Sequence, residues 1–119
     1  MKVLVTGGTG YIGRRLVDVL IDKGFHVRIF GRQASNLSKS VEQVMGNLAD
    51  LNALKDVTKD VEVVFHLGGG MRPSDEDVTV VNVHASRCLM QDAISNGVRR
   101  FISRKCGCRL WRHYISACL

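Results

Sequence analysis

Short apolar runs of strand character alternate along this chain with stretches whose apolar residues recur at helical spacing. The β-branched run Val3-Leu4-Val5 breaks into glycines. After Gly13, Leu16, Val17, Leu20 and Ile21 then recur on one helical stripe between polar Arg14, Arg15, Asp18 and Asp22. Gly24 stops that helix, and His26-Val27-Arg28-Ile29-Phe30 reads as a second strand. Val41 to Met45 predicts a third. Asp50 is placed to cap a short helix with Leu51, Leu54 and Val57 facing inward. Val61 to Phe65 is apolar at nearly every position, the composition of a strand buried on both faces. A glycine- and charge-rich loop over Gly68 to Asp77 leads to a helix over Val78 to Asn96, which Gly97 ends before a fifth strand at Phe101-Ile102. Five strands separated by helical segments predict an α/β fold, a doubly wound parallel sheet in the order 3-2-1-4-5. Neither an internal repeat nor a low-complexity tract interrupts the pattern.

The first turn carries the chemistry. Gly7, Gly10 and Gly13 are spaced three apart where the first strand gives way to the first helix. A strand that ends in such a turn aims unpaired backbone N–H groups and the positive end of the helix at a place where a pyrophosphate can sit. Gly7 would allow the tight turn, Gly10 would let the backbone touch the phosphates, and Gly13 would let the helix pack closely on the strand. A glycine-rich turn that binds nothing is the plain alternative. The strand before, the helix after and the second strand beyond it make one βαβ unit, the setting a nucleotide turn requires.

Thr6-Gly7-Gly8-Thr9-Gly10-Tyr11-Ile12-Gly13 resembles the fingerprint of the extended short-chain dehydrogenase/reductases, the NAD(P)-dependent epimerase/dehydratase group. The resemblance continues in order along residues 1 to 103. Gly46-Asn47-Leu48 with Asp50 is similar to the family's Gly-Asp-Leu element beside the adenine. Val64-Phe65-His66-Leu67-Gly68-Gly69 is similar to its fourth strand and cofactor turn, with glycines where alanines are usual. Asn82-Val83 stands where the family has an Asn-Val in its fourth large helix, and Gly97 to Ser103 resembles the approach to strand five. The resemblance implies a Rossmann-type domain over residues 1–103, truncated after strand five. It also implies a dinucleotide site drawn from Gly7, Thr9, Gly10, Tyr11, Ile12, Gly13, Asn47, Leu48, Leu67, Gly68, Gly69 and Asn82. Asn47 replaces the family's Asp, and its amide oxygen can still accept from the adenine amino group. An acid at the end of the second strand would select NAD; here Gly31 leaves room and Arg32 supplies a fork of donors for a 2′-phosphate. The expected cofactor is therefore NADP, with NAD as the other member of the pair, and a solvated Arg32 is the bland reading of that residue.

Length limits what this chain does with a cofactor. In the family the catalytic Tyr-x-x-x-Lys pair and the substrate lobe lie beyond strand five. The only tyrosine after that point is Tyr114, and the residue four later is Cys118. The family's tyrosine serves as acid/base and its lysine lowers the tyrosine's pKa, so both must share one helix face. No catalytic residue is assigned, Ser103 included. The expectation is an enzyme by descent whose present chain lacks catalysis.

Residues 104–119 differ in composition from all that precedes them. They hold Cys106, Cys108 and Cys118 of the four cysteines, the only tryptophan (Trp111), four of the seventeen Lys and Arg, and none of the eleven acids. A reading frame one base downstream from Lys105 permits Ser-Val-Ala-Val-Val-Tyr-Gly-Asp, close to the family's continuation, so a frameshift near Arg104 is the hypothesis for this tail. A DNA read without a base change there would sink it. Cys106, Cys108, His113 and Cys118 are poorly spaced for a structural zinc site, and no metal is expected. Cys88 lies in a helix and no secretory signal is seen, so reduced thiols in a cytoplasmic protein are expected rather than disulfides. No run reaches membrane-spanning length.

The net charge of +6 falls to +2 once the tail's four cations are set aside, so the basic excess is mostly a property of the tail. Without an interleaved aromatic and basic face, no nucleic-acid partner is expected. His66 reads as a strand residue under the sheet rather than a base, and His26, His84 and His113 have no evident partners. Arg72, Pro73 and Asp75 suit a substrate entrance or a solvated loop equally. Two functions from different classes follow. One is the cofactor part of an NAD(P)-dependent oxidoreductase, epimerase or dehydratase acting on a sugar nucleotide or similar hydroxy/keto substrate, with steroid- and flavonoid-like substrates also open. The other is a non-catalytic NAD(P)-binding sensor or interaction module. Self-association through the strand-five edge is expected where Phe101-Ile102 lacks neighbours.

Overall fold

The computed structural model describes residues 1–8, 11–31, 41–48, 50–68 and 83–103. The elements are β1 (Lys2–Thr6), α1 (Tyr11–Asp22), β2 (His26–Gly31), β3 (Glu42–Met45), a 3-10 turn (Leu51–Leu54), β4 (Val63–His66), α2 (Ala85–Ser95) and β5 (Arg100–Ser103). All four strand pairings are parallel, in the order β3-β2-β1-β4-β5. The expected α/β sheet and its strand order are those observed.

Alternation along the strands divides the core. Val3 and Val5 of β1 join Val27 and Ile29 of β2 under Val17 and Leu20 of α1. On the opposite face Leu4, Phe30 and Val64 pack with Leu54, Val57 and Val61 and with Ala85 and Leu89 of α2. Burying a Leu or Phe side chain of this kind contributes about 1.5–3 kcal/mol, so these two layers hold the sheet. The amphipathic stripe read from Leu16 to Ile21 thus covers one face, and the helix after β4 covers the other. α1 and α2 both close at glycines with positive φ, Gly24 and Gly97, where Phe25 and Val98 N–H groups donate back to Leu20 and Ala93 carbonyls.

Three expectations need adjustment. The segment after Asp50 is a 3-10 turn, with the Asp50 carboxylate accepting the Asn52 N–H at 3.1 Å. Its four-residue length leaves Leu51 39% exposed while Leu54 and Val57 are buried. β4 carries half-buried Val63 and Phe65 alternating with buried Val64 and His66; among the described residues no helix other than α1 covers their face. Finally, α2 is preceded at residues 83–84 by a wider π-type turn, and residues 78–82 of the expected helix lie outside the described residues.

Two polar ties hold the end of the sheet remote from the glycine turn. Arg28, buried on β2, donates from Nη1 to the Val57 and Lys59 carbonyls at 2.8 and 2.9 Å. Its Nε lies 3.2 Å from Glu42 Oε1, an ion pair without hydrogen-bond alignment, and Lys2 Nζ lies 3.4 Å from the other carboxylate oxygen. Burial raises the Glu42 carboxyl, but Arg28 and then Lys2 outweigh it and hold the group below its ordinary value. On α2, the Asp92 carboxylate accepts the Asp56 and Thr58 N–H groups at 2.9 and 3.0 Å and the Thr58 hydroxyl at 2.6 Å. Asp56 and Asp60 both have left-handed backbone (φ 59° and 63°), so this clasp secures a turn of unfavourable conformation.

Candidate dinucleotide crevice

β1 lies between β2 and β4, so the chain runs outward to one side of β1 and then returns to the other. In an open parallel sheet, the carboxyl ends of two such strands part at the reversal, and the crevice between them is where ligands bind. Here that crevice is bounded by the turn after β1, holding Gly7, and the turn after β4, holding Leu67 and Gly68.

Close approach explains the glycines. Gly7 has φ +73°, and a Cβ built on it would lie 2.7 Å from the Gly68 nitrogen and 2.9 Å from the Leu67 carbonyl carbon. Any side chain there would separate the two turns. A Cβ on Gly13 would collide with the Gly7 carbonyl oxygen, so α1 packs directly against the turn that precedes it. A Cβ on Gly68 would meet Leu48 Cδ1 at 2.7 Å, which brings the segment after β3 to the same place. Gly7, Leu48 and Gly68 are therefore neighbours although they come from three distant parts of the chain. The opening of α1 at Tyr11 leaves the first-turn N–H groups free of helical partners at this end of the sheet. That is a fit for an anionic pyrophosphate.

The other residues expected at the site divide. Gly13 lies in the first turn of α1 and Leu67 in the turn after β4, while Asn47 follows β3 and its carbonyl accepts the Asp50 N–H at 2.9 Å. The Ile12 side chain is exposed and lies with Arg15, Leu16 and Val19 along an open apolar groove of α1. Thr9, Gly10, Arg32, Gly69 and Asn82 lie outside the described residues, as do Arg72, Pro73, Asp75, and Cys106, Cys108, His113 and Cys118 of the tail. Among the described residues no group of three His, Cys, Asp or Glu side chains could hold a metal, and no helix is long and apolar enough to cross a membrane.

Beneath the crevice lies a buried polar chain. Thr6 and His66 are the last residues of β1 and β4, in register with one another. Thr6 Oγ1 accepts the Gly68 N–H at 3.1 Å and lies 2.7 Å from His66 Nδ1; His66 Nε2 lies 2.8 Å from Ser86 Oγ on the first turn of α2. With Thr6 Oγ1 already accepting from Gly68, its own proton is available for Nδ1. We therefore assign the tautomer in which Nε2–H donates to Ser86. Burial pushes the imidazole down to about 4, so the ring is neutral near pH 7. Phe101 of β5 covers it, ring centroids 6.0 Å apart. Ser103, paired in register with His66, has a buried hydroxyl with no hydrogen-bond partner among the described residues. The placement of His66 under the sheet matches expectation. In the sequence Thr6 reads only as part of the glycine fingerprint and Ser86 does not stand out; Thr6 closes the apolar run Val3-Leu4-Val5, whereas Ser86, between Ala85 and Arg87, carries no signal.

The sequence model of the NAD dependent epimerase/dehydratase family matches residues 3–108. This chain belongs to that family. Among its relatives, sterol demethylase protein B of Methylococcus capsulatus is 37% identical over 109 residues, covering 86% of this chain and 33% of that protein. A short-chain dehydrogenase/reductase superfamily protein from Agrobacterium tumefaciens, solved with bound NAD, superposes with TM-score 0.78 at 38% identity, over 87% of this chain and 32% of that one. UDP-glucose 4-epimerase from Thermotoga maritima, solved with UDP-glucose, gives TM-score 0.77 at 28% identity, over 87% and 37%. The chain thus spans about a third of the length of these epimerase/dehydratase relatives.

Proposed function

We propose that this chain is the dinucleotide-binding part of an NAD(P)-dependent oxidoreductase, epimerase or dehydratase that acts on a hydroxy/keto substrate such as a sterol or a sugar nucleotide. The observation that carries the reading is the crevice at the reversal of strand order, where Gly7, Leu48 and Gly68 meet at the opening of α1. Gly7, Thr9, Gly10, Tyr11, Ile12 and Gly13 would hold the pyrophosphate, Asn47 and Leu48 the adenine, and Leu67, Gly68, Gly69 and Asn82 the remaining wall. When bound, the nicotinamide gives or takes a hydride. The proton partner for that chemistry in the family is the Tyr-x-x-x-Lys pair; Tyr114 is followed four residues later by Cys118, so residues 1–119 are read as binding the dinucleotide without turnover of their own.

NADP is the preferred cofactor in this reading. Gly31 ends β2 and a Cβ built on it would meet nothing within 4 Å, which supports room for a 2′-phosphate beside the Arg32 that follows. The neighbour from Agrobacterium tumefaciens holds NAD, so the preference needs a direct comparison. Nicotinamide fluorescence titrations with NADPH and NADH should give tighter NADPH binding, and Arg32→Ala should remove the difference without abolishing NADH binding. Equal affinities in the unaltered chain would reject the NADP preference, and no saturable signal from either would reject the binding role. The protein is further read as cytoplasmic with reduced thiols. β5 is an edge of the described sheet with Ile102 44% exposed, which supports self-association along that edge. A sedimentation profile that stays monomeric at high concentration would count against it.

A further inference from the structure

The turn after β4 owes its position to something other than its own sequence. Leu67 and Gly68 leave the sheet where β4 ends. Leu67 N–H donates to the Thr6 carbonyl at 3.1 Å, and Gly68 N–H donates to the Thr6 hydroxyl at 3.1 Å. The first bond continues the β1–β4 ladder. The second depends on a hydroxyl that would otherwise rotate, and that hydroxyl is held by His66, whose ring is held in turn by Ser86 of α2.

We propose that His66 is a positioning residue for the dinucleotide crevice: by engaging the Thr6 hydroxyl through Nδ1 and the Ser86 hydroxyl through Nε2, it keeps Thr6 Oγ1 beneath the Gly68 amide and so fixes the turn that forms one wall. The inference rests on the reading of that crevice as the cofactor site. Three features support it. The chain joins the ends of two adjacent strands and the helix behind them through buried Thr6, His66 and Ser86, and reaches the half-buried Gly68 of the crevice turn. The geometry at Gly68 has no slack, since a Cβ there would press on Leu48 at 2.7 Å, Thr6 Oγ1 at 3.2 Å and the Gly7 nitrogen at 3.3 Å. A small displacement of this turn would therefore alter its spacing to Gly7 and Leu48 together. Space filling alone does not call for an imidazole here: a phenyl ring would fill the same space without two nitrogens to desolvate, whereas the histidine places a nitrogen 2.7 Å from the Thr6 hydroxyl and the other 2.8 Å from the Ser86 hydroxyl.

The test uses Thr6→Val, Thr6→Ser, His66→Phe and Ser86→Ala in the full chain, read by NADH titration well below each variant's melting temperature and by hydrogen exchange of the Gly68 amide. Loss of the acceptor beneath that amide should weaken NADH by about tenfold in Thr6→Val. His66→Phe should weaken it in the same direction, Thr6→Ser should restore near-normal binding, and Ser86→Ala should fall between. Exchange at Gly68 should speed up in the same order. Normal NADH affinity and a protected Gly68 amide in Thr6→Val, or in His66→Phe, would overturn the proposal even if both variants melt earlier, because a purely structural role predicts that outcome. Should His66→Phe fail to fold, Thr6→Val and Ser86→Ala decide the matter. If the unaltered chain binds neither NADPH nor NADH, the crevice reading fails, while Gly68 exchange still reports whether the chain of hydroxyls and imidazole holds the turn; if it binds NADPH alone, the same variants are read by NADPH titration.

Discussion

Acid should weaken the fold through His66 before it reaches the paired carboxylate at Glu42. The imidazole moves from an ordinary value of 6.5 to about 4 on folding, driven by burial among Thr6, Ser86 and Phe101, none of which titrates near neutrality. Between those two values the unfolded chain binds a proton that the folded chain refuses, so stability is full above pH 6.5 and falls as the pH drops toward 4. A difference of about 2.5 pKa units corresponds to about 3 kcal/mol, a large share of the roughly 5–15 kcal/mol that holds an ordinary domain together. Glu42 is held below its ordinary 4.5, so its contribution is present above that value and is lost only at lower pH. The two windows hardly overlap. Urea unfolding followed by circular dichroism at pH 7.5, 6.5, 5.5 and 4.5 would trace the first window, with His66→Gln as the non-titrating reference. The unaltered chain should lose stability with a slope approaching about 1.4 kcal/mol per pH unit below pH 6, and the variant should be flatter over the same range. Parallel curves for the two proteins would refute the reasoning and place the acid sensitivity elsewhere.

Three substitutions probe the remaining contacts. Gly13→Ala drives a methyl group into the Gly7 carbonyl oxygen, so α1 must back away from the turn; about 1–3 kcal/mol of stability and most of the NADH affinity should go, and an alanine variant that melts and binds normally would deny the close approach. Asp92→Ala strips two N–H groups and the buried Thr58 hydroxyl of their acceptor. It should cost about 2–3 kcal/mol in chemical denaturation, with Asp92→Asn recovering part. Arg28→Met keeps the aliphatic stem but leaves the Val57 and Lys59 carbonyls without their donor; a loss of about 2 kcal/mol is expected, together with a rise of the Glu42 pKa measurable by NMR titration.

How far the sequence disclosed this molecule depended on whether a feature was local. The β1 turn, α1 and β2 were legible because Gly7, Gly13, the Leu16 to Ile21 stripe and Gly24 each impose a conformation on their immediate neighbours. The strand order followed from alternation of strands and helices, which leaves few ways to wind a parallel sheet. The short helix after Asp50 was legible in its cap and its buried Leu54, but four residues make one tight 3-10 turn and cannot bury Leu51 as well. Contacts across the sheet were hidden. Arg28 read as one more residue of an apolar strand, and nothing in its surroundings in sequence announces two carbonyls thirty residues away. Asp92 likewise gave no sign of the Asp56 turn it secures. Thr6, His66 and Ser86 are separated by 60 and 20 residues; the parallel register of β1 and β4 brings the first two together, and the packing of α2 on the sheet adds the third.

The account depends most directly on the crevice between β1 and β4 being the place where a nicotinamide dinucleotide binds. An amide map of the labelled chain titrated with NADPH and with NADH tests this residue by residue. Saturable shifts concentrated at Gly7, Ile12, Gly13, Leu48 and Gly68, with the amides around Arg28, Glu42 and Asp92 unmoved, are the predicted result. An unchanged spectrum, or shifts centred on that opposite end of the sheet, would contradict it.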